Sequence, residues 1–198
     1  IKGRIKLNDE SLKYKDKNYE YWTKTTAKGN YSIKLRKKIG TDHIEEIWNG
    51  DEEKKKLNTN YFGIGDLEVS FNDKYLAYSL DTKGSEYFTI HIRDIETNTL
   101  VTEKIEDTSG SIMFSLDDKF IFYSKLDQNH RPRKIFRHEI GKPIKDDILI
   151  FEEKTKAFTV GIGLTSDEKY YLVTSSDHNT TEKYYFSVDE KIPEPKLI

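Results

Sequence analysis

Short runs of Tyr, Phe, Ile, Leu and Val recur along the chain, separated by polar stretches rich in Asp, Asn, Ser and Lys. Runs of this kind, aromatic and β-branched and bounded by turn formers, predict strands. One such run is repeated. Ser70-Phe71-Asn72-Asp73-Lys74-Tyr75-Leu76-Ala77-Tyr78-Ser79 returns as Ser115-Leu116-Asp117-Asp118-Lys119-Phe120-Ile121-Phe122-Tyr123-Ser124, and again as Thr165-Ser166-Asp167-Glu168-Lys169-Tyr170-Tyr171-Leu172-Val173-Thr174. The lysines lie 45 and 50 residues apart. Short polar side chains bond nearby backbone N–H groups and hold tight turns, so each copy predicts a hairpin whose second strand starts after the Lys.

A polar loop follows each copy, at 81–86, 127–131 and 176–182, and then a third strand at 87–93, 134–139 and 183–188. Fourth strands are expected at 100–105 and 147–151, and in the last unit a fourth strand has barely begun at Lys196-Leu197-Ile198. Four antiparallel strands at this period is the spacing of β-propeller blades. The fold class expected is all-β, a partial β-propeller of about three and a half to four blades. A lead-in spans residues 1–17, an incomplete blade 18–61 (strands 19–25, 31–36 and 43–48), and further blades 62–108, 109–155 and 156–198, the last truncated. No helix longer than a turn and no internal domain boundary are expected. Propellers close with typically four to eight blades, so the count fits either a small ring or a piece of a larger one.

Composition supports strands and narrows function. Of 198 residues, 25 are aromatic (13 Tyr, 10 Phe, 2 Trp) and only three are alanine, a balance that favours strands over helix interiors. Lys and Arg number 33 against 35 Asp and Glu, so the formal charge is 33 − 35 = −2, without the basic excess of a nucleic-acid binder. No apolar run approaches membrane-spanning length, and the start, Ile1-Lys2-Gly3-Arg4, is followed by no apolar signal segment. With no cysteine there is neither a disulfide nor a thiolate nucleophile, and a reducing, cytoplasmic setting is expected.

Candidate chemistry is sparse. No G-x-S-x-G elbow, HExxH or calcium loop occurs, and Gly84-Ser85 and Gly110-Ser111 are expected in loops or at strand starts. His91 and His138 fall on third strands and His130 in a loop, each expected to be a surface or half-buried histidine rather than a catalytic one. Gly63-Ile64-Gly65 and Gly161-Ile162-Gly163 run into strands, not helices, so close backbone approach at a crowded propeller centre explains them better than phosphate binding. Lys34 to Lys38 next to Glu45-Glu46 predicts a solvated face of mixed charge, and Glu152-Glu153 point to opposite sides of a strand. No catalytic, cofactor-binding or metal-binding residue is assigned, and no cofactor is expected. On these grounds alone the chain is a propeller scaffold for protein interaction or an accessory part of an enzyme; neither the Gly-His nor the Trp-Asp dipeptide of WD repeats occurs.

Several segments resemble the prolyl oligopeptidase family, most closely its oligopeptidase B (protease II) branch. They are Gly84 to Ile90 with Arg93-Asp94-Ile95-Glu96-Thr97, Thr108 to Ser111 with Phe122 to Asp127, and the more specific His130-Arg131-Pro132-Arg133-Lys134-Ile135-Phe136-Arg137-His138-Glu139-Ile140-Gly141. Asp147, Phe151 to Lys154 and Phe158 continue the likeness, and Lys2 to Lys6 and Asn18 to Tyr21 match the approach to the family's first blade. Met113-Phe114 departs from the family pattern. The resemblance implies a fragment of a seven-bladed propeller capping an α/β-hydrolase peptidase domain that cleaves short peptides after Lys or Arg with a Ser-Asp-His triad. It also implies that the partners are that domain and short basic peptides. The triad has no matching position here, so the chain is expected to be inactive alone, and its cut blade edges are expected to favour self-association.

Overall fold

A computed structural model describes residues 6–101 and 103–198; Lys2 to Ile5 of the family-like lead-in and Thr102 of an expected fourth strand lie outside the described residues. The chain forms two compact units, Ile1–Asn60 and Tyr61–Ile198.

In the first unit, β1 (Asp9–Glu10), β2 (Tyr14–Asp16), β3 (Tyr19–Thr25), β4 (Ile33–Lys38) and β5 (Ile44–Asn49) form one antiparallel sheet. Its order is β1-β3-β4-β5, with β2 also pairing β3. Tyr21, Trp22, Leu35, Ile47 and Trp48 are its buried apolar residues. The mixed-charge face is less solvated than expected. Arg36 is buried, bonds Glu45 through Nε at 2.8 Å and lies over the Tyr19 ring. The sheet ends in a helix, α1 (Gly50–Leu57), where none longer than a turn was expected. Its start is capped by Asn49, whose side chain accepts the Glu52 N–H, and its end by Asn58 in the left-handed region. Asp51, Glu52 and Glu53 in the first turn and Lys54, Lys55 and Lys56 in the last both oppose the helix dipole. The caps and charge order encode α1, which lacks the apolar stripe that usually reveals a helix.

The second unit repeats a four-stranded antiparallel sheet three times, the first two copies being joined through one shared strand into a continuous eight-stranded sheet. The first holds β6 (Gly63–Val69), β7 (Tyr75–Asp81), β8 (Phe88–Asp94) and the short β9 (Thr99–Leu100). The second holds β10 (Ile105–Phe114), β11 (Phe120–Leu126), β12 (Pro132–Glu139) and β13 (Ile148–Glu152). The third holds β14 (Thr159–Leu164), β15 (Tyr170–Ser176), β16 (Thr181–Ser187) and β17 (Lys196–Leu197) in sequence order. The boundary expected between residues 108 and 109 falls inside β10. This strand pairs with β8 at its start (Ile105↔Ile90, Thr108↔Phe88) and with β11 at its end (Ile112↔Tyr123, Phe114↔Ile121). Gly110, expected in a loop or at a strand start, sits in this transition at φ +91.

The three repeats fold alike. Asp73, Asp118 and Glu168 each donate a backbone N–H to the hydroxyl residue three positions earlier at 2.9 Å, and each takes a left-handed φ of 62, 55 or 57. The hydroxyls of Ser70, Ser115 and Thr165 donate to Asn72, Asp117 and Asp167 at 2.7–2.8 Å. They accept the N–H of Tyr75, Phe120 and Tyr170 at 2.8, 3.0 and 3.1 Å. The conserved order of residue types is thus a complete local hydrogen-bond circuit that closes the hairpin.

Side chains also tie sheet to sheet. The buried Asp118 carboxylate accepts the N–H groups of Phe71 and Asn72 in the preceding hairpin turn at 2.7 and 2.6 Å. At the next junction Leu116 donates its N–H to the Tyr171 hydroxyl at 3.1 Å. Between the sheets lie two apolar clusters, one around Ile90, Ile92, Ile112 and Ile121, the other around Phe122, Ile135, Val173 and Phe186.

The two glycine pairs differ. A Cβ on Gly65 would meet the Phe88 ring at 2.9 Å, as the expectation of close approach requires, whereas Gly161 and Gly163 face open space. Crowding therefore explains the first pair only. A Cβ on Gly110 would also meet Phe88 at 2.9 Å, on a backbone that already disfavours one. Gly110→Ala is expected to cost about 2 kcal/mol or more in urea unfolding, and Gly161→Ala to be neutral or stabilising by up to about 1 kcal/mol.

Candidate functional site

The most reactive-looking group is a histidine–carboxylate pair. His138 on β12 hydrogen-bonds through Nδ1 to Asp147 Oδ1 at 2.6 Å, and the Tyr123 hydroxyl donates to Asp147 Oδ2 at 2.7 Å. Burial first, and then this hydrogen bond, pushes the Tyr123 phenol far above its ordinary range. The His138 side chain is 0% exposed. This corrects the expectation of a surface or half-buried residue, and no substrate reaches the imidazole. The trio satisfies its own polar atoms inside the core, as buried polar groups must. His91 is buried as well, stacked on Tyr78 with ring centroids 5.0 Å apart. His130 is in an exposed loop, as expected, with its ring 4.3 Å from that of Tyr87.

At the opposite end of the sheets from the repeated turns, three aspartates shape the loops between second and third strands. Asp81 accepts the N–H groups of Lys83, Gly84 and Glu86 at 2.8–2.9 Å. Asp127 accepts those of Asn129 and Arg131, and Asp177 those of Asn179 and Thr180. Burial would raise the Asp81 carboxyl, but its backbone donors more than offset that and hold it below its ordinary value. Glu153 behaves likewise: burial raises it, while the Ser175 hydroxyl and the Thr155 N–H lower it further. Its neighbour Glu152 points the other way, to Lys134 at 3.2 Å, which is the alternation expected of that pair.

Among the described residues, hollows open between sheets of the second unit. One of about 440 Å³ is bordered by Tyr61, Asp81, Glu86, Phe88 and His130. One of about 180 Å³ lies among the inner strands, by Ser109, Ser111, Ser124 and Gly161. Another, of about 510 Å³, lies at the repeated-turn end between the second and third sheets and is lined in part by Arg137. The sequence reading passed over Arg137, although aligning the repeats by their strand pairing exposes it. Arg137 pairs with Phe122, and the matching positions in the sheets on either side are Ile92 and Tyr185. Among the described residues no three His, Asp or Glu side chains are grouped to hold a metal ion. The arrangement offers clefts for binding, while its hydroxyls and carboxylates serve the fold.

A family model described as the prolyl oligopeptidase N-terminal β-propeller domain matches residues 1–198. Dipeptidyl aminopeptidase BI of Pseudoxanthomonas mexicana is 25% identical over 190 residues, covering 88% of this chain and 26% of that protein. Protease 2 of Moraxella lacunata is 26% identical over 185 residues, covering 90% and 27%. Oligopeptidase B from Leishmania major superposes with a TM-score of 0.91 at 21% identity, over 98% of this chain and 28% of that one. Oligopeptidase B from Trypanosoma brucei, in a closed form with covalently bound antipain, gives 0.89 at 22% identity over the same shares. The chain spans about a quarter of the length of the curated relatives it matches.

The depressed carboxyls fix the sign of the acid response. Their folded-state values lie below the unfolded ones, so their stabilisation is complete only above about pH 5 and is lost as pH falls through the folded values. Asp81→Asn is expected to cost about 1–3 kcal/mol at pH 7, and the gap to the parent chain should shrink markedly by about pH 2.5. Urea unfolding at both pH values measures it.

Proposed function

The chain belongs to the prolyl oligopeptidase family, as part of its N-terminal β-propeller domain, and we propose that it forms part of a lid that gates a serine peptidase acting on short peptides after Lys or Arg. The observation that carries this reading is the match of all 198 residues to the propeller domain in a chain that spans only about a quarter of its peptidase relatives. The triad and the pocket for a basic side chain belong, in this reading, to an α/β-hydrolase domain outside these residues. A ring of seven blades would leave a central channel. An extended peptide needs a passage about 5 by 10 Å, whereas a folded domain of about 100 residues has a radius of gyration near 13 Å. A channel of width between the two would admit the peptide and exclude the folded domain. The closed form described for the Trypanosoma brucei relative fits a part that opens and shuts.

The gate is tested by exchanging this chain for the matching segment of a Protease 2-type relative. The chimera should cleave a short Arg-ended chromogenic peptide and spare a folded protein with surface arginines; equal cleavage of both would sink the gating role. This chain by itself should leave the peptide intact, and hydrolysis that survives removal of contaminating peptidases would overturn the assignment of the chemistry to another domain. Self-association through the edge of the short β17 is part of the same proposal. Light scattering is expected to show dimers or larger species at high concentration, and a clean monomer would count against it.

A further inference from the structure

Arg137 is a buried cation at a position where the sheet repeat does not call for one. Only 8% of the residue is exposed, it lies where the sheets on either side have Ile92 and Tyr185, and no carboxylate of the described residues pairs with it. Its Nη2 donates to the Lys191 carbonyl at 2.9 Å and its guanidinium lies 4.3 Å from the centre of the Phe120 ring, while Nε is buried without a hydrogen-bond partner. Asp117 and Glu139 act on it through space without forming an ion pair, so a guanidinium held by one carbonyl and a ring keeps hydrogen-bonding capacity to spare. Burial pulls its pKa down. The same side chain lines the cavity of about 510 Å³, within the usual range for small-ligand sites.

The rest of the lining narrows the ligand. Leu116, Phe120, Phe122, Phe186, Val188 and Pro193 make an apolar wall. Tyr171 accepts the Leu116 N–H, which leaves its own hydroxyl proton to donate. The acidic groups at the cavity are largely occupied by their own loops. Asp117 takes the Ser115 hydroxyl at 2.7 Å and Lys119 Nζ at 3.2 Å, and Glu190 takes the N–H groups of Ser187 and Glu194. Their charge, with that of exposed Asp189, disfavours a dianion more than a monoanion. A planar guanidinium suits a planar carboxylate.

We propose that this cavity binds a carboxylate carried on an apolar group, either the C-terminal end of a peptide closing on an aromatic residue or a free aromatic acid. The site belongs to this chain alone and stands or falls independently of the peptidase reading. Calorimetric titration of the chain with N-acetyl-phenylalanine, its C-terminal amide, phenylacetate and inorganic phosphate tests it. The acid should bind about tenfold or more tightly than the amide and than phosphate. Phenylacetate within about threefold of N-acetyl-phenylalanine would identify a free acid as sufficient, and a preference of about tenfold for the latter would identify a peptide end. Arg137→Met should fold, since its neighbours at this position are apolar or aromatic, and should lose about tenfold or more in affinity. Arg137→Lys keeps the charge without the planar fork and should bind about threefold or more weakly, which serves if the Met variant does not fold. Acid and amide bound equally, phosphate bound as tightly as the acid, no binding at millimolar ligand, or affinity undiminished in the folded variants would each overturn the proposal.

Discussion

Burial of sheet faces between consecutive sheets is the constraint on which the second unit depends. A four-stranded sheet cannot cover its own faces, so within the second unit neighbouring sheets must pack against one another. The burial patterns record this directly. β11, with a sheet of the second unit on either side, is buried at four consecutive positions, as a strand covered on both sides should be. In β15 buried and partly exposed positions alternate, the signature of a strand with one covered face. The open space around Gly161 and Gly163 belongs to the same third sheet. Crowding at Gly65 and Gly110, both against Phe88, belongs where two sheets converge.

Apolar burial alone does not fix how one sheet sits on the next, because it lacks direction. Direction comes from a few buried polar groups. Asp118 joins hairpin turn to hairpin turn, Tyr171 of β15 holds the Leu116 turn at the next junction, and Asp66 accepts the Ile112 N–H at 3.1 Å between inner strands. The buried Ser79 hydroxyl bridges β6 to β10, accepting the Asp66 N–H and donating to the Gly110 carbonyl at 2.6 Å. Glu153 and Ser175 tie the second sheet to the third. Hydrogen bonds made at low local dielectric are strong when satisfied and costly when broken, so these few contacts set register between sheets. The serines and aspartates that could pass for catalytic residues are mostly committed to this work.

What was legible in the sequence was what is local. The repeated Ser-x-Asn/Asp-acid-Lys hairpins declare themselves because every hydrogen bond of the turn lies within six residues. Strand positions followed within one or two residues for β3, β5, β8, β12, β13 and β16. Three things were not legible in hydrophobic patterning. The continuous β10 depends on a left-handed φ at Gly110, which joins two sheets without a turn. The helix α1 is written in caps and charge order rather than in an apolar stripe. The burial of His138 depends on Asp147, nine residues away across a connection containing the 3-10 turn Ile144–Asp146. Polar residues at strand positions read as surface until the partner that satisfies them is placed.

Arg137 marks where that reasoning reaches function. His138 and Arg137 are adjacent on β12, so alternation sends them to opposite faces, toward the first and third sheets respectively. Both interior positions are polar where a core prefers apolar groups, yet their outcomes differ. His138 meets a carboxylate and a hydroxyl-bearing neighbour within its own sheet, and its polarity is absorbed by the fold. Arg137 meets an aromatic ring and a single carbonyl, and its Nε is left without a hydrogen-bond partner beside a cavity. A residue that completes no network of the fold has hydrogen-bonding capacity left for a ligand. In a propeller, whose sheets repeat, such a residue stands out because the neighbouring sheets show what packing alone would have placed there.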